Sequence, residues 1–311
     1  MSIIKYRKIW FTISAVLFAL SFYTFFAYGF KLSTDFVGGS LTEISYKGER
    51  PDKQVLEGEM SELKLGNISV RPSGEDRYIV RSKSLNVEET QRLLETASVR
   101  GEYDAKIERS NTVGPVAGAE LKSKAFKAII LVVIMIVLFI TFAFRGVSLG
   151  RSSATGEAKP VSSWKYGLAT VIALIHDVVI PTGVFVFLGA TLGIELDLLF
   201  VTGLLAILGY SVHDTIVVFD RVRENLRINQ DHNRTEDFES VVGKSVSQTF
   251  ARSINTSLTI FITLLALYIF GSTATKDFSL LLLIGVIVGT YSSIFVASPL
   301  LVTFFKLQKK S

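Results

Sequence analysis

The sequence has no cysteine among its 311 residues, which excludes disulfides, thiolate nucleophiles and cysteine-ligated zinc or iron-sulfur centres. Residues 31–121 hold no histidine and no G-x-G-x-x-G. Neither an imidazole metal site nor a phosphate cradle is supported there, and a binding or docking role is the expectation. No H-E-x-x-H occurs, and the two His-Asp dipeptides lack a recognisable nucleophile partner. An intramembrane hydrolase is therefore disfavoured, and no metal or cofactor is expected. Asp, Glu, Lys and Arg make up only 20% of residues, and the net charge of +5 is uneven. Residues 31–121 carry 13 Lys and Arg against 16 Asp and Glu, while the rest of the chain carries 20 against 12. The basic excess sits at membrane flanks, so it is not a nucleic-acid footprint.

What is abundant is apolar sequence, 49% of residues, with a mean hydropathy of +0.43. It gathers in six stretches, roughly 9–30, 125–144, 167–190, 198–219, 253–271 and 278–305, each long enough to cross a hydrocarbon core of about 30 Å. The expected fold class is an α-helical polytopic membrane protein with six transmembrane helices. The first stretch is too long for a signal-peptide core and Tyr28 to Leu32 offers no small-x-small cleavage site, so a retained first helix is expected. Lys and Arg recur at the termini and in alternate loops, among them Lys5, Arg7, Arg145, Arg151, Lys159, Arg223, Arg234 and Lys306. The two short loops between hold only Lys276. The positive-inside rule then puts residues 1–8, 145–166, 220–252 and 306–311 in the cytoplasm and residues 31–121 on the opposite side.

The 31–121 segment reads as a small α+β domain. Leu41, Glu43 and Ser45 alternate with Thr42, Ile44 and Tyr46 as a strand, and Pro51 opens a helix carrying Val55, Met60, Leu63 and Leu65. Asn67 to Pro72 and Arg77 to Arg81 flank the turn Ser73-Gly74-Glu75-Asp76 as a hairpin. Asn86 with Glu89 three residues on is a capping box for a second helix whose Leu93, Leu94 and Ala97 face inward, and Tyr103 to Glu108 gives a last strand. This β-α-β-β-α-β order is that of a ferredoxin-like split unit.

Within the apolar stretches the informative residues are those that are costly to bury. The third holds His176 and Asp177 near its middle; the fourth holds His213 and Asp214 about six residues, roughly 9 Å, inside the Asp220-Arg221 border. Arg252 opens the fifth, where it either snorkels to phosphate head groups or reaches into the bundle toward Asp214. Pro181 cannot donate to the carbonyl of Asp177 and so frees an acceptor there. Asn255, Thr259 and Thr263, with Thr256 beside them, form a polar stripe down the fifth stretch from Arg252. Such a stripe serves as interhelical glue or, with two membrane carboxylates, lines a proton path. Gly285, Gly289, Ser293 and Ala297 in the sixth stretch, and Gly203 and Ala206 in the fourth, are expected to mark close helix packing and to carry no chemistry. Thr235, Phe238, Val241, Val242, Val246 and Phe250 give an amphipathic segment that fits an interfacial helix on the cytoplasmic surface, setting the depth at which Arg252 begins the fifth span.

Several of these runs carry a family resemblance. The segment from Gly209 through His213, Asp214, Asp220 and Arg221 to Asn225 is similar to the fourth-helix motif of the SecF family of protein-export membrane proteins. Asp35-Phe36-Val37-Gly38-Gly39 resembles the family's motif after the first helix, and Val113-Gly114-Pro115-Val116-Ala117-Gly118 its motif before the second. His176-Asp177-Val178 and the run Ala251 to Thr259 agree as well, so the resemblance covers essentially the whole chain. His213 departs from it, since the family often has Asn there, and adds a titratable group beside Asp214. The resemblance implies a half-transporter of the resistance-nodulation-division type in the bacterial cytoplasmic membrane, with its ferredoxin-like domain on the periplasmic side. It further implies pairing with SecD and YajC at the SecYEG channel, and use of the proton motive force to help move unfolded secreted polypeptides. Asp214 and Arg252 match the residues assigned to proton transfer, with Asp177, His176 and His213 as neighbouring candidates. Alternatives are a passive scaffold for the translocase and half of a small-molecule or lipid transporter.

The charge asymmetry makes the topology testable. Reporter fusions after Lys310 and at Gly156 are expected to be active as cytoplasmic fusions; export of either would invalidate the assignment of sides.

Overall fold

The computed structural model describes residues 2–63, 65–66, 68–144, 163–231 and 236–310. Asn67, Arg145, Arg151, Gly156, Lys159, Arg234 and Thr235, used above, lie outside the described residues. In chain order the elements begin with α1 (Ser2–Lys5), α2 (Arg7–Tyr28), α3 (Thr34–Val37), β1 (Gly39–Tyr46), α4 (Lys53–Ser61), β2 (Ser69–Ser73), β3 (Arg77–Ser82), α5 (Val87–Ala97) and β4 (Ala105–Val113). There follow α6 (Pro115–Ala143), α7 (Ser163–Leu192), α8 (Leu198–Asp231), α9 (Phe238–Phe270) and α10 (Thr273–Ser292), then a π-helical turn (Ser293–Ala297) and α11 (Ser298–Lys310). Among the described residues six helices are long and apolar enough to cross a membrane: α2, α6, α7, α8, α9 and the continuous run from α10 through the π-turn to α11. The chain divides into an extramembrane unit, Lys31–Lys127 with Glu195–Leu198, and a membrane unit made of the remainder.

The extramembrane unit is a four-stranded antiparallel sheet in the order β2-β3-β1-β4, which with α4 and α5 is the ferredoxin-like arrangement. Thr42, Ile44 and Tyr46 of β1 point inward, and Ile44 and Tyr46 pack with Tyr78 and Val80 of β3, Leu56 and Met60 of α4, and Leu93 and Ala97 of α5. The capping box forms: Asn86 Oδ1 accepts from Glu89 N at 2.8 Å, and Glu89 Oε2 accepts from Asn86 N at 3.0 Å. Leu94 is only half-buried, since it stands at the edge of the inward face of α5. Two other expectations are corrected. The first domain helix ends at Ser61, leaving Leu63 and Leu65 beyond it, because the Leu65 carbonyl accepts from Lys83 N at 3.0 Å instead of continuing a helix; Val55 points to solvent. The last strand runs on to Val113, held by side-chain pairs that an apolar pattern does not reveal: Ser40 with Thr112 at 2.6 Å and Thr42 with Ser110 at 3.0 Å.

Backbone proximity explains part of the glycine pattern. Gly38 has φ +79° and a Cβ there would lie 2.9 Å from Pro115 Cα, while one on Gly118 would lie 2.9 Å from Gly38 N. The two motifs therefore lock together only as glycines. Asp35 Oδ2 accepts from Leu198 N at 3.1 Å, and Arg81 Nη1 donates to Glu195 Oε1 at 2.5 Å, which is why residues 195–198 belong to this unit. Nothing packs within 4 Å of where a Cβ on Gly114 would stand.

In the membrane unit, α8 and α9 run well past the apolar stretches at the end that bears the basic residues. The amphipathic segment is the first part of α9 and is continuous with the span, which corrects the interfacial-helix reading. Its apolar side faces protein: Phe238, Val242 and Val246 join Val218, Phe219 and Val222 of α8 and Leu301 and Val302 of α11 in one buried cluster. Polar contacts knit the same end. Arg221 Nε donates to Gln248 Oε1 at 2.7 Å, and Asn225 Nδ2 donates to Ser245 Oγ at 2.8 Å. Glu239 receives Arg7 Nη1 at 2.8 Å and also pairs with Lys306, so the two chain termini meet the start of α9 at one end of the bundle. The small residues of α10 permit its close approach to α8: a Cβ on Gly285 would lie 2.2 Å from Ile207 Cδ1, and one on Gly289 3.2 Å from Ser211 Cβ. Gly203 faces Leu281 in the same seam, whereas Ala206 is exposed.

The cap predicts a pH response in residues 31–127. A hydrogen bond from Lys83 and then the Asn86 backbone N–H hold the Glu89 carboxyl below the usual range. A depressed folded value means that its stabilisation is present above the unfolded value and is lost as pH falls through the folded one. Thermal denaturation of the isolated domain is expected to show mixed helix and strand, and stability that declines in mild acid less steeply in Glu89→Gln. Asn86→Ala is expected to cost about 1 kcal/mol at neutral pH. A random-coil spectrum would contradict an autonomous domain.

Candidate functional site

The buried charge of the membrane unit lies at two carboxylates on neighbouring helices. Asp177 on α7 is 0% exposed and Asp214 on α8 is 7% exposed. A buried carboxylate without partners is very costly, so its hydrogen bonds define the site. Asp177 Oδ1 lies 3.0 Å from His176 Nδ1, and its Oδ2 accepts from Ser211 Oγ of α8 and, at 2.6 Å, from Ser292 Oγ of α10. Asp214 Oδ1 accepts from Ser253 Oγ of α9 at 2.5 Å, and its Oδ2 accepts from Ser293 Oγ. Four helices thus converge on two carboxylates through four serine hydroxyls. The buried network continues on one side, where Tyr210 Oη, Ser257 Oγ and Thr290 Oγ1 are linked at 2.6 Å each.

The local sequence explains the convergence. Ser211 and Asp214 are three residues apart on α8 and share a face, as Ser253 and Ser257 do on α9 at a spacing of four. Ser292 and Ser293 are consecutive, yet each reaches a carboxylate on a different helix. They stand where α10 passes into the π-turn, whose wider winding shifts the following residues and leaves the Ser293 carbonyl to accept from Ser298 Oγ at 2.9 Å. Ser293 therefore corrects the reading of the small-residue stripe as chemically silent.

Apart from His176, the remaining proton-path candidates face outward. Arg252 is exposed, and among the described residues no hydrogen bond or ion pair joins it to Asp214; its neighbour Ser253 occupies that place. The reason is angular, since adjacent helical residues point about 100° apart and only one of the two can aim inward. Asn255, Thr256, Thr259 and Thr263 are exposed too, with Thr259 and Thr263 donating to the carbonyls of Asn255 and Thr259 of their own helix at 2.9 and 3.0 Å. On α8, Gly209, His213 and Asp220 share this outward orientation. His176 is buried with its ring stacked 5.9 Å from that of Tyr291, and its Nε2 has no hydrogen-bond partner among the described residues. α7 continues through Pro181, and Thr182 Oγ1 donates to the Val178 carbonyl at 2.6 Å just beyond Asp177.

Sequence reasoning missed Ser211, Ser253, Ser257, Thr290, Ser292 and Ser293. Their one signal was helical spacing from Asp214 and from each other. No group of three or more His, Asp or Glu able to hold a metal occurs among the described residues. One G-x-S-x-G spacing is present, Gly146-Val147-Ser148-Leu149-Gly150. It lies outside the described residues and follows a membrane helix in the chain, where a nucleophile elbow would follow a strand.

Comparison with known proteins agrees with this architecture. Residues 94–151 and 162–307 match the family described as protein export membrane protein SecD/SecF, C-terminal. The protein translocase subunit SecF of Thermobaculum terrenum is 37% identical over 316 residues, covering 97% of this chain and 93% of that protein. The Helicobacter pylori SecF is 33% identical over 301 residues, covering 96% and 85%. The crystal structure of SecDF, a translocon-associated membrane protein from Thermus thermophilus, superposes with a TM-score of 0.80 at 29% identity. That match takes in 97% of this chain but only 38% of the SecDF chain. With the motifs, the six spans and the ferredoxin-like unit all accounted for, the chain belongs to the SecF family of protein translocase subunits.

Proposed function

We propose that this chain is one half of a proton-driven export machine: it pairs with a SecD-type six-helix half and with YajC beside SecYEG, and uses inward proton flow to help draw unfolded polypeptides across the bacterial cytoplasmic membrane. The observation that carries the reading is a contrast repeated on two neighbouring helices. His213 faces outward and Asp214 inward; Arg252 faces outward and Ser253 inward. Polar and cationic groups at membrane depth are costly against lipid and line protein interfaces or watery paths. The strip from His213 to Arg252, Asn255, Thr256, Thr259 and Thr263 is therefore covered by a partner, and protons reach Asp214 along that covered face. The SecDF chain of Thermus thermophilus, of which the match covers only 38%, supports a second half beside this one.

The proton step uses the carboxylate and its neighbours. An ionised Asp214 accepts from Ser253 and Ser293 and attracts Arg252, one residue before Ser253 on α9. Taking up a proton removes that attraction and turns one oxygen into a donor, so the hold between α8 and α9 changes. A proton descending the membrane potential supplies about 2.3 kcal/mol per 100 mV, enough to bias such a two-state contact. The extramembrane unit lies on the periplasmic side, where its movement assists the emerging chain.

Asp214→Asn and Arg252→Met are each expected to abolish proton-dependent stimulation of export into inverted vesicles while the complex still assembles in normal yield. Asn preserves size without exchanging a proton, and Met preserves the apolar stem of Arg. Full response to an imposed gradient in either variant removes that residue from the proton path. Export untouched by Asp214→Asn would favour a passive scaffold.

A further inference from the structure

Ser292 is offered two acceptors and Ser293 three. Ser292 Oγ reaches Asp177 Oδ2 at 2.6 Å and the Gly289 carbonyl at 3.1 Å. Ser293 Oγ reaches Asp214 Oδ2 and the same Gly289 carbonyl at 3.0 Å, with the Thr290 carbonyl at 3.2 Å as a further choice. A hydroxyl has one proton and donates it to one acceptor at a time. The Gly289 oxygen already accepts from the Ser293 N–H, so of its two lone pairs one remains for a hydroxyl. No other pair of residues in the described structure ties both carboxylates to a single main-chain group.

We propose that Ser292 and Ser293 are positioning residues that couple the two carboxylates, making Asp177 and Asp214 a linked two-site unit rather than two independent proton sites. While both are ionised, both serines donate to them. A proton added to Oδ2 of either turns that oxygen into a donor; its serine then accepts and swings its own proton to Gly289. With the Gly289 oxygen taken by Ser292, Ser293 is left with the longer Thr290 contact, so reversal at the Asp214 site is disfavoured. Each step moves one proton onto one carboxylate oxygen and only reorients hydroxyls, so nothing else is consumed. Both serines keep regular helical backbone, so their side chains point about 100° apart and serve carboxylates on the two different helices α7 and α8.

Other ionisable groups around the pair act alike in every variant below. They are His176 beside Asp177, Tyr291 stacked on His176, Tyr210 next to Ser211, and the outward-facing His213 and Arg252. Arg7, Lys165, Glu239 and Lys306 lie at the basic end of the helices.

The inference rests on the reading of Asp214 as a titrating group, and the test separates the two. The full chain in lipid nanodiscs is titrated while its carboxyl C=O infrared bands are followed, with Asp177→Asn and Asp214→Asn assigning each band. Ser292→Ala is expected to move the protonation step of Asp214, a residue it does not touch, by about half a pH unit, roughly threefold in proton affinity. Ser211→Ala strips a hydroxyl from the same oxygen of Asp177 without a claim on Gly289 and is expected to leave the Asp214 step in place. Ser292→Cys, a nearly isosteric weak donor, should give a smaller shift in the same sense and serves if the alanine variant does not fold. Equal shifts of the Asp214 step in Ser211→Ala and Ser292→Ala, or none in either, overturn the coupling. An Asp214 band that never titrates in the unaltered chain overturns both the coupling and the proton reading.

Discussion

A bilayer core offers little water, so a polar group buried in the membrane unit is costly unless it finds hydrogen bonds within protein. Two carboxylates make that demand most severe. The structure answers it with serine hydroxyls from α8, α9, α10 and the π-turn, and the packing follows from the need to deliver them. α10 approaches α8 closely because Gly285 and Gly289 leave no side chain in the seam. That approach sets Ser292 and Ser293 against Asp177 and Asp214. Hydroxyls satisfy a carboxylate without fixing its charge as a buried cation would, which suits the proposed proton step.

The opposite face of α8 and α9 obeys the same constraint by other means. Arg252, Asn255, Thr256, Thr259, Thr263 and His213 are exposed on this chain, and threonines that return their hydroxyls to their own helix relieve only part of the cost. In the proposed pairing, a second helical half covers the rest. The chain matches its SecF relatives almost end to end yet fills only 38% of the SecDF chain, as expected of a unit that works beside another. On this chain Asp214 is buried and Arg252 exposed, which suits a carboxylate inside one half and a cation at the proposed seam.

Much of this was legible in the sequence, for identifiable reasons. Six apolar runs announce six spans because hydropathy sums over about twenty residues and tolerates local error. The capping box at Asn86 and Glu89 and the turn at Gly74 announce the ferredoxin-like unit because they are local bonds between near neighbours. Failures arose where the third dimension decides. Amphipathicity in residues 238–250 reports an apolar face without saying whether lipid or protein covers it, and here α8 and α11 do. Arg252 was left to snorkel or to reach Asp214, because a shared depth leaves the angle around the helix open, and Ser253 took the inward position. Serines in a membrane helix read as small packing residues, so the four that bind the carboxylates were hidden among those that merely permit approach.

The account turns on the outward polar strip being an interface, and the absence of native cysteine makes that directly measurable. A single Thr259→Cys carrying a short photo-activated cross-linker, in native membranes, is predicted to yield one major adduct with a second multi-spanning protein of the SecD type. Adducts with lipid alone, or with a second copy of this chain, would contradict it.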